Sequence, residues 1–184
     1  MATEKIISAG FGGQGVMSLG MLITYAGMLE KKEVSWLPSY GPEMRGGTAN
    51  CSVIVSDQPV GSPIITNDAT TAVIMNLPSL VKFEKDVAPG GKIFINSSLI
   101  SQKVERDDVE VYYVPCNDIA IELGNPKVAN MVMLGAYLEV TGIVATDSIL
   151  EAFKKVFGPS KEKFIPLNTE AIKKGQEAIK VAAK

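Results

Sequence analysis

The chain has 184 residues, 46% of them apolar and 21% charged, with a formal net charge of −2. That size and balance predict one ordinary globular domain over residues 1–184. The slight negative charge offers no general attraction to nucleic acid or to an anionic membrane.

Cys51 and Cys116 are the two cysteines, and there is no histidine. A four-thiolate iron–sulfur cluster cannot be built from this chain. The commonest zinc ligand and the commonest neutral-pH general base are missing too. Both thiols are expected in the core, reduced. The apolar run at Lys5–Ala9 is too short for a secretory leader. The run from Met131 to Ala145, broken by Glu139, is too short to span a bilayer. The expected location is the cytoplasm.

Lys5–Ala9 reads as a buried strand running into Gly10-Phe11-Gly12-Gly13-Gln14-Gly15, with a helix over Gln14–Leu29. A second strand covers Glu33–Leu37 and should stop at Pro38. Ala49–Ser56 alternates cleanly, with Cys51, Val53 and Val55 on one face, and predicts a third strand. Asp57-Gln58-Pro59 turns the chain, and Pro63–Thr66 suggests a short extended piece. Ala72–Asn76 is a further strand, and Pro78 opens a helix reaching Val87. Pro89-Gly90-Gly91 reads as a turn before a strand at Lys92–Asn96, and Val109–Pro115 as one more strand. Helices follow at Asn117–Leu123, ended by Gly124-Asn125-Pro126, and at Lys127–Val140, where Met131 and Met133 are core residues. Two more are expected at Asp147–Phe157, capped by Thr146, and at Thr169–Ala182, capped by Asn168. The alternation predicts a three-layer α/β/α fold with a mixed, largely parallel central sheet and a Rossmann-like start.

Gly10, Gly12 and Gly15 form G-x-G-x-x-G between a strand and a helix, where free backbone N–H groups favour an anion. The dinucleotide reading also needs an acid at the end of the second strand. That strand ends in Trp36-Leu37-Pro38-Ser39-Tyr40, without one. No Lys-Ser/Thr pair follows the glycines, which excludes a Walker loop. The plainer reading is that the glycines allow close strand–helix packing.

The second unusual loop is Pro38-Ser39-Tyr40-Gly41-Pro42-Glu43-Met44-Arg45-Gly46-Gly47. Arg45 could grip a carboxylate or phosphate through its planar fork, and Tyr40 could donate a hydroxyl. The same loop could equally be an interface, with Arg45 paired to Glu43 or to a partner. The candidate anion-facing set is Gly10, Gly12, Gly13, Gln14, Gly15, Tyr40, Glu43, Arg45, Gly46, Gly47 and Asn130. Trp36, Leu37 and Met44 are candidates for an exposed apolar patch through which the isolated chain would pair with itself.

The two loops together resemble those of the gamma subunit of 2-oxoacid:ferredoxin oxidoreductases. Ser62-Pro63, Leu123-Gly124-Asn125-Pro126, Asn130-Met131-Val132-Met133-Leu134-Gly135, Asn168 and Ala171–Gly175 extend the resemblance over nearly the whole chain. It is greatest to the 2-oxoglutarate enzymes, while pyruvate and branched-chain versions share the loops. The resemblance implies a subunit, inactive alone, of an oxidoreductase that oxidatively decarboxylates a 2-oxoacid to an acyl-coenzyme A and passes electrons to ferredoxin. It implies that thiamine diphosphate, magnesium and iron–sulfur clusters belong to alpha, beta and ferredoxin-like partner subunits. This chain would enclose the site and receive coenzyme A, holding no cofactor and no catalytic residue. Two other readings compete. A stand-alone nucleotide-binding module would bind NAD or a flavin by itself. A purely structural scaffold would use both loops for assembly alone.

Overall fold

The computed structural model describes residues 3–40 and 48–182, apart from the side chains of residues 40, 181 and 182. Six strands form one sheet: β1 Thr3–Phe11, β2 Glu33–Tyr40, β3 Thr48–Ser56, β4 Ala69–Ile74, β5 Val87–Asn96 and β6 Glu110–Val114. Their spatial order is β2-β3-β1-β4-β5-β6. β1, β4, β5 and β6 pair in parallel, whereas β3 runs antiparallel to both β1 and β2. The helices are α1 Val16–Leu29, α2 Leu77–Phe83, α3 Cys116–Glu122, α4 Ala129–Thr141, α5 Thr146–Phe157 and α6 Ile165–Ala182. The fold is therefore α/β, with a mixed, mostly parallel sheet flanked by helices, as the alternation predicts.

The two faces of the sheet are covered unequally. Ile6, Val53, Val73 and Phe94 point into a large core shared with α1, α3, α4, α5 and α6. The opposite face buries Ile7, Ala9, Ile74 and Ile95 under α2 and coil. Alternation along each strand sorts neighbouring residues between these two cores. α4 is buried along almost its whole length, from Ala129 to Leu138, because it lies beneath α6. That is why its sequence is apolar all round rather than striped. Met131 and Met133 are core residues of this helix, as expected.

Both cysteines are fully buried and free. Burial pushes the Cys51 thiol up to about 12 and drives that of Cys116 further upward. Neither is a thiolate, and so neither is a nucleophile, near neutral pH. Among the described residues no helix is long and apolar enough to cross a membrane.

Several local expectations are corrected. β2 continues through Pro38 to Tyr40. It is an edge strand, so a residue without an N–H costs no ladder bond on its open side. No strand forms at Pro63–Thr66. Pro89-Gly90-Gly91 lies inside β5, where the pairing with β4 shifts register between Ala69 and Thr71. α2 ends at Phe83, and a 3₁₀ turn, Glu84–Asp86, carries the chain to Val87. Pro126–Val128 is likewise a 3₁₀ turn, opened by Asn125, whose side chain accepts from Lys127 N at 3.0 Å. Thr146 and Asn168 are not caps. Thr146 lies within α5, and Asn168 lies inside α6 with its Nδ2 donating to Phe164 O at 2.8 Å. Trp36 packs against the α1-side core, leaving Leu37 as the exposed residue of the expected patch at 43% accessibility. Met44 lies outside the described residues.

Candidate functional site

β1 leads into α1 on the large-core face, and β4 leads into α2 on the other. The chain thus departs in opposite directions from the carboxyl ends of two adjacent parallel strands. In open α/β sheets such a switch point opens the crevice where ligands bind. The glycine loop sits at this place.

Its shape follows from three glycines and two amides. Gly13 has φ 98° and Gly15 has φ 77°, both in the left-handed region open to glycine. At Gly10 the constraint is space instead, since a Cβ there would come within 2.7 Å of Gln14 Oε1 and 2.9 Å of Met75 Cβ. Gln14 closes the loop on itself. Its Oε1 accepts from Phe11 N at 2.7 Å, and its Nε2 donates to Met75 O at 3.0 Å. Met75 N in turn donates to Ala9 O at 2.9 Å, so one amide staples the ends of β1 and β4 together. Asn130, buried at the start of α4, donates from Nδ2 to Gly15 O at 3.3 Å. The loop is bolted from both sides.

α1 begins at Gly15 with no side-chain cap and no acidic residue in its first turn. The N–H groups at its start therefore have no intrahelical partner, and the helix dipole leaves partial positive charge there. A small crevice of about 180 Å³ beside the glycine loop is lined by Gly13, Gln14, Met75, Asn117, Lys127 and neighbours. A larger cleft of about 410 Å³ lies on the other side of Lys127, between Ser18, Asn130, Phe157, Phe164 and Asn168. Backbone N–H groups, a nearby ammonium and an apolar floor are the features through which a protein site can hold an anion.

The structure brings Gly10, Gly12, Gly13, Gln14, Gly15 and Asn130 together. Gln14 serves as the staple rather than as a free donor, because both ends of its amide are occupied. Tyr40 ends β2, and its register explains where the second loop leaves the sheet. Tyr40 pairs with Ala49, which pairs with Gly10. The strand before that loop therefore ends level with the glycine loop. Glu43, Arg45, Gly46 and Gly47 lie outside the described residues. Lys127 joins the site without having been a candidate in the sequence. Its position just after Asn125-Pro126 and one helical turn before Asn130 was the available signal. The sheet order also removes a premise of the dinucleotide reading, because β3 separates β2 from β1. A ribose-binding acid at the end of β2 would be one strand too far away.

Replacing Gln14 with Ala is expected to destabilise the protein by about 1–2 kcal/mol, since the carbonyl of buried Met75 loses its donor while Phe11 N remains open to water. A lowered urea midpoint with an unchanged slope is the expected readout. An unchanged midpoint would show that the staple carries no net stability.

Comparison with known proteins places this geometry in a family. The family model for pyruvate ferredoxin/flavodoxin oxidoreductase matches residues 5–178. The chain is 41% identical over 175 residues to ketoisovalerate oxidoreductase subunit VorA of Methanothermobacter thermautotrophicus, a match covering 94% of this chain and 36% of that relative. It thus spans about a third of the length of the VorA relatives. It is 36% identical over 182 residues to 2-oxoglutarate synthase subunit KorC of Methanocaldococcus jannaschii, covering 96% of this chain and 94% of the relative. The solved keto/oxoacid ferredoxin oxidoreductase gamma subunit of Geobacter sulfurreducens PCA superposes with a TM-score of 0.81 at 27% identity, covering 97% of this chain and 99% of that one. The chain belongs to the pyruvate ferredoxin/flavodoxin oxidoreductase family.

Proposed function

We propose that this chain is the gamma subunit of a 2-oxoacid:ferredoxin oxidoreductase and contributes the coenzyme A-receiving wall of the active site. The observation that carries the reading is the uncapped start of α1, set at the β1/β4 switch point between the glycine loop, Asn130 and Lys127. It offers N–H donors and a positive charge to an anionic substrate. Cys51 and Cys116 are buried and neutral, and the chain has no histidine. By the family resemblance, the hard chemistry belongs to thiamine diphosphate and iron–sulfur clusters in alpha, beta and ferredoxin-like partners, with ferredoxin as the final acceptor. This chain positions coenzyme A and encloses the site. Arg45 and Tyr40, on the loop that leaves β2 level with Gly10, belong to the same wall in this reading.

For the 2-oxoacid, the likeness to KorC over nearly the full length of both chains favours 2-oxoglutarate. The higher identity to VorA supports a branched-chain 2-oxoacid as the second reading. The test is reconstitution with the partner subunits, assayed with 2-oxoglutarate, ketoisovalerate and pyruvate in turn. Acceptor reduction is expected only in the complete complex and fastest with 2-oxoglutarate. Turnover by this chain alone, or undiminished coenzyme A-dependent activity without it, would overturn the proposal. Heat from NAD or a flavin binding to the isolated chain would favour the nucleotide-module reading instead.

A further inference from the structure

α1 is a surface helix without a charged residue in its 14 positions. Its inner side is fitted closely to the sheet. A Cβ at Gly20 would come within 2.4 Å of Cys51 Sγ on β3, and one at Gly27 within 2.8 Å of Val34 Cγ1 on β2. These two glycines, about two turns apart, seat the helix on the last two strands of the sheet. α5 packs along a second side. One arc is left open, formed by Met17, Ser18, Met21, Tyr25, Met28 and Leu29. At 3.6 residues per turn these positions fall within about 120° of one another, so they form a single ridge. Tyr25 is 39% exposed and Met28 55%.

Water does not select such a ridge. An amphipathic surface helix sets charged and polar side chains opposite its buried stripe. Here Ser18 is the one polar residue on the open arc. A lone exposed apolar residue is ordinary, whereas a contiguous apolar strip marks a contact surface. The make-up of the strip is that of an interface core, in which methionine and tyrosine are enriched and charge is depleted. The charges lie at the rim, where exposed Lys31 and Glu33 follow the end of α1. Unbranched methionines also repack readily against a surface of different shape.

The size of the strip bears on its occupant. A helix of this length is about 21 Å long and about 10 Å wide, which gives about 200 Å² of ridge. A stable pair of proteins buries about 800 Å² on each side. Two copies of this chain meeting ridge to ridge would fall well short of that. The VorA relative carries the matched region as 36% of its length, so there the same domain has a further polypeptide as its permanent neighbour. We propose that the α1 ridge docks against an uncharged, apolar face of the partner polypeptide that corresponds to the rest of the VorA chain, as one strip of a larger interface. This rests on the reading that the chain is a subunit of the oxidoreductase complex.

The test is peroxide oxidation of the native methionines, read by peptide mass spectrometry, in the full chain alone and in the reconstituted complex. Met28 should oxidise readily in the chain alone and at least about tenfold more slowly in the complex. Met28→Lys and Tyr25→Glu alter exposed positions, so each should leave the Tm of the chain unchanged. Each should raise the Kd for the partner subunits by at least about thirtyfold, the loss typical of an interface hot spot. Equal oxidation of Met28 in both states, or native affinity in both variants, would overturn the docking surface while leaving the gamma-subunit reading intact, because the complex has formed. Met28 protected in a dimer of the chain alone, and exposed in the complex, would make a second copy the occupant and overturn the proposal. A native chain that fails to join the partner subunits would overturn the gamma-subunit reading and the docking surface together.

Discussion

Replacing Gly135 with valine is expected to lower the melting temperature by about 10 °C. Gly135 on α4 faces α6 so closely that a Cβ would lie 2.0 Å from Ile172 O. Gly175 on α6 is its counterpart, with a Cβ position 1.9 Å from Val132 O. The obstacles are backbone carbonyls, which cannot rotate aside, so the two helices must separate. Overpacking of this kind costs on the order of 4 kcal/mol when no side chain can give way. For a chain of this size each kcal/mol shifts the midpoint by about 2–4 °C. Gly142 supplies the contrast. Its φ is 57°, and nothing lies within 4 Å of its Cβ position. Gly142→Ala should cost about 1 kcal/mol, from backbone conformation alone. Thermal unfolding of both variants checks the pair. Equal losses would mean that α4 and α6 are not in backbone contact.

The second large effect is at Gly15, where stability and site are one structure. Gly15→Ala introduces a side chain at φ 77° and places its Cβ 2.5 Å from Asn130 Nδ2 and 2.7 Å from Asn130 Cγ. Backbone conformation contributes about 1 kcal/mol, and displacement of the buried Asn130 adds about 1–3 kcal/mol. The two sites must therefore be non-additive. In an Asn130→Ala background the two nearest atoms are gone, leaving Asn130 Cβ at 3.0 Å as the closest contact. Gly15→Ala should then cost measurably less than in the native protein. Chemical denaturation of the four members of this cycle tests the coupling. Strict additivity would show that Asn130 does not support the loop.

Much of the fold was legible in the sequence because period and punctuation agree. Cys51, Val53 and Val55 alternate in the sequence and lie in one core, and the glycine loop falls between strand and helix as its spacing demands. The failures have local causes. Pro38 stops a central strand but not an edge strand, and edge position is a property of the sheet rather than of the segment. Asn168 has the chemistry of a cap, yet Phe164 and Ile165 already continue the helix, and its amide turned back onto Phe164 O. The insertion of β3 between β1 and β2 cannot be read from any segment, because strand order is set by long-range pairing. In the sequence Gly135 and Gly175 stand out only as parts of a family resemblance. The structure supplies their physical reason, the contact of two helix backbones. Lys127 was missed because an exposed lysine carries no signal until the fold puts it beside the start of α1.

Hydrogen exchange of the assembled complex, with and without coenzyme A, tests most directly whether coenzyme A is received at the glycine loop of this chain. Adding coenzyme A should slow exchange at the start of α1 and at residues 127–130, with α5 and the buried strands unchanged. Protection confined to the partner subunits, with no change at Gly12–Ser18 or at Lys127–Asn130, would contradict it.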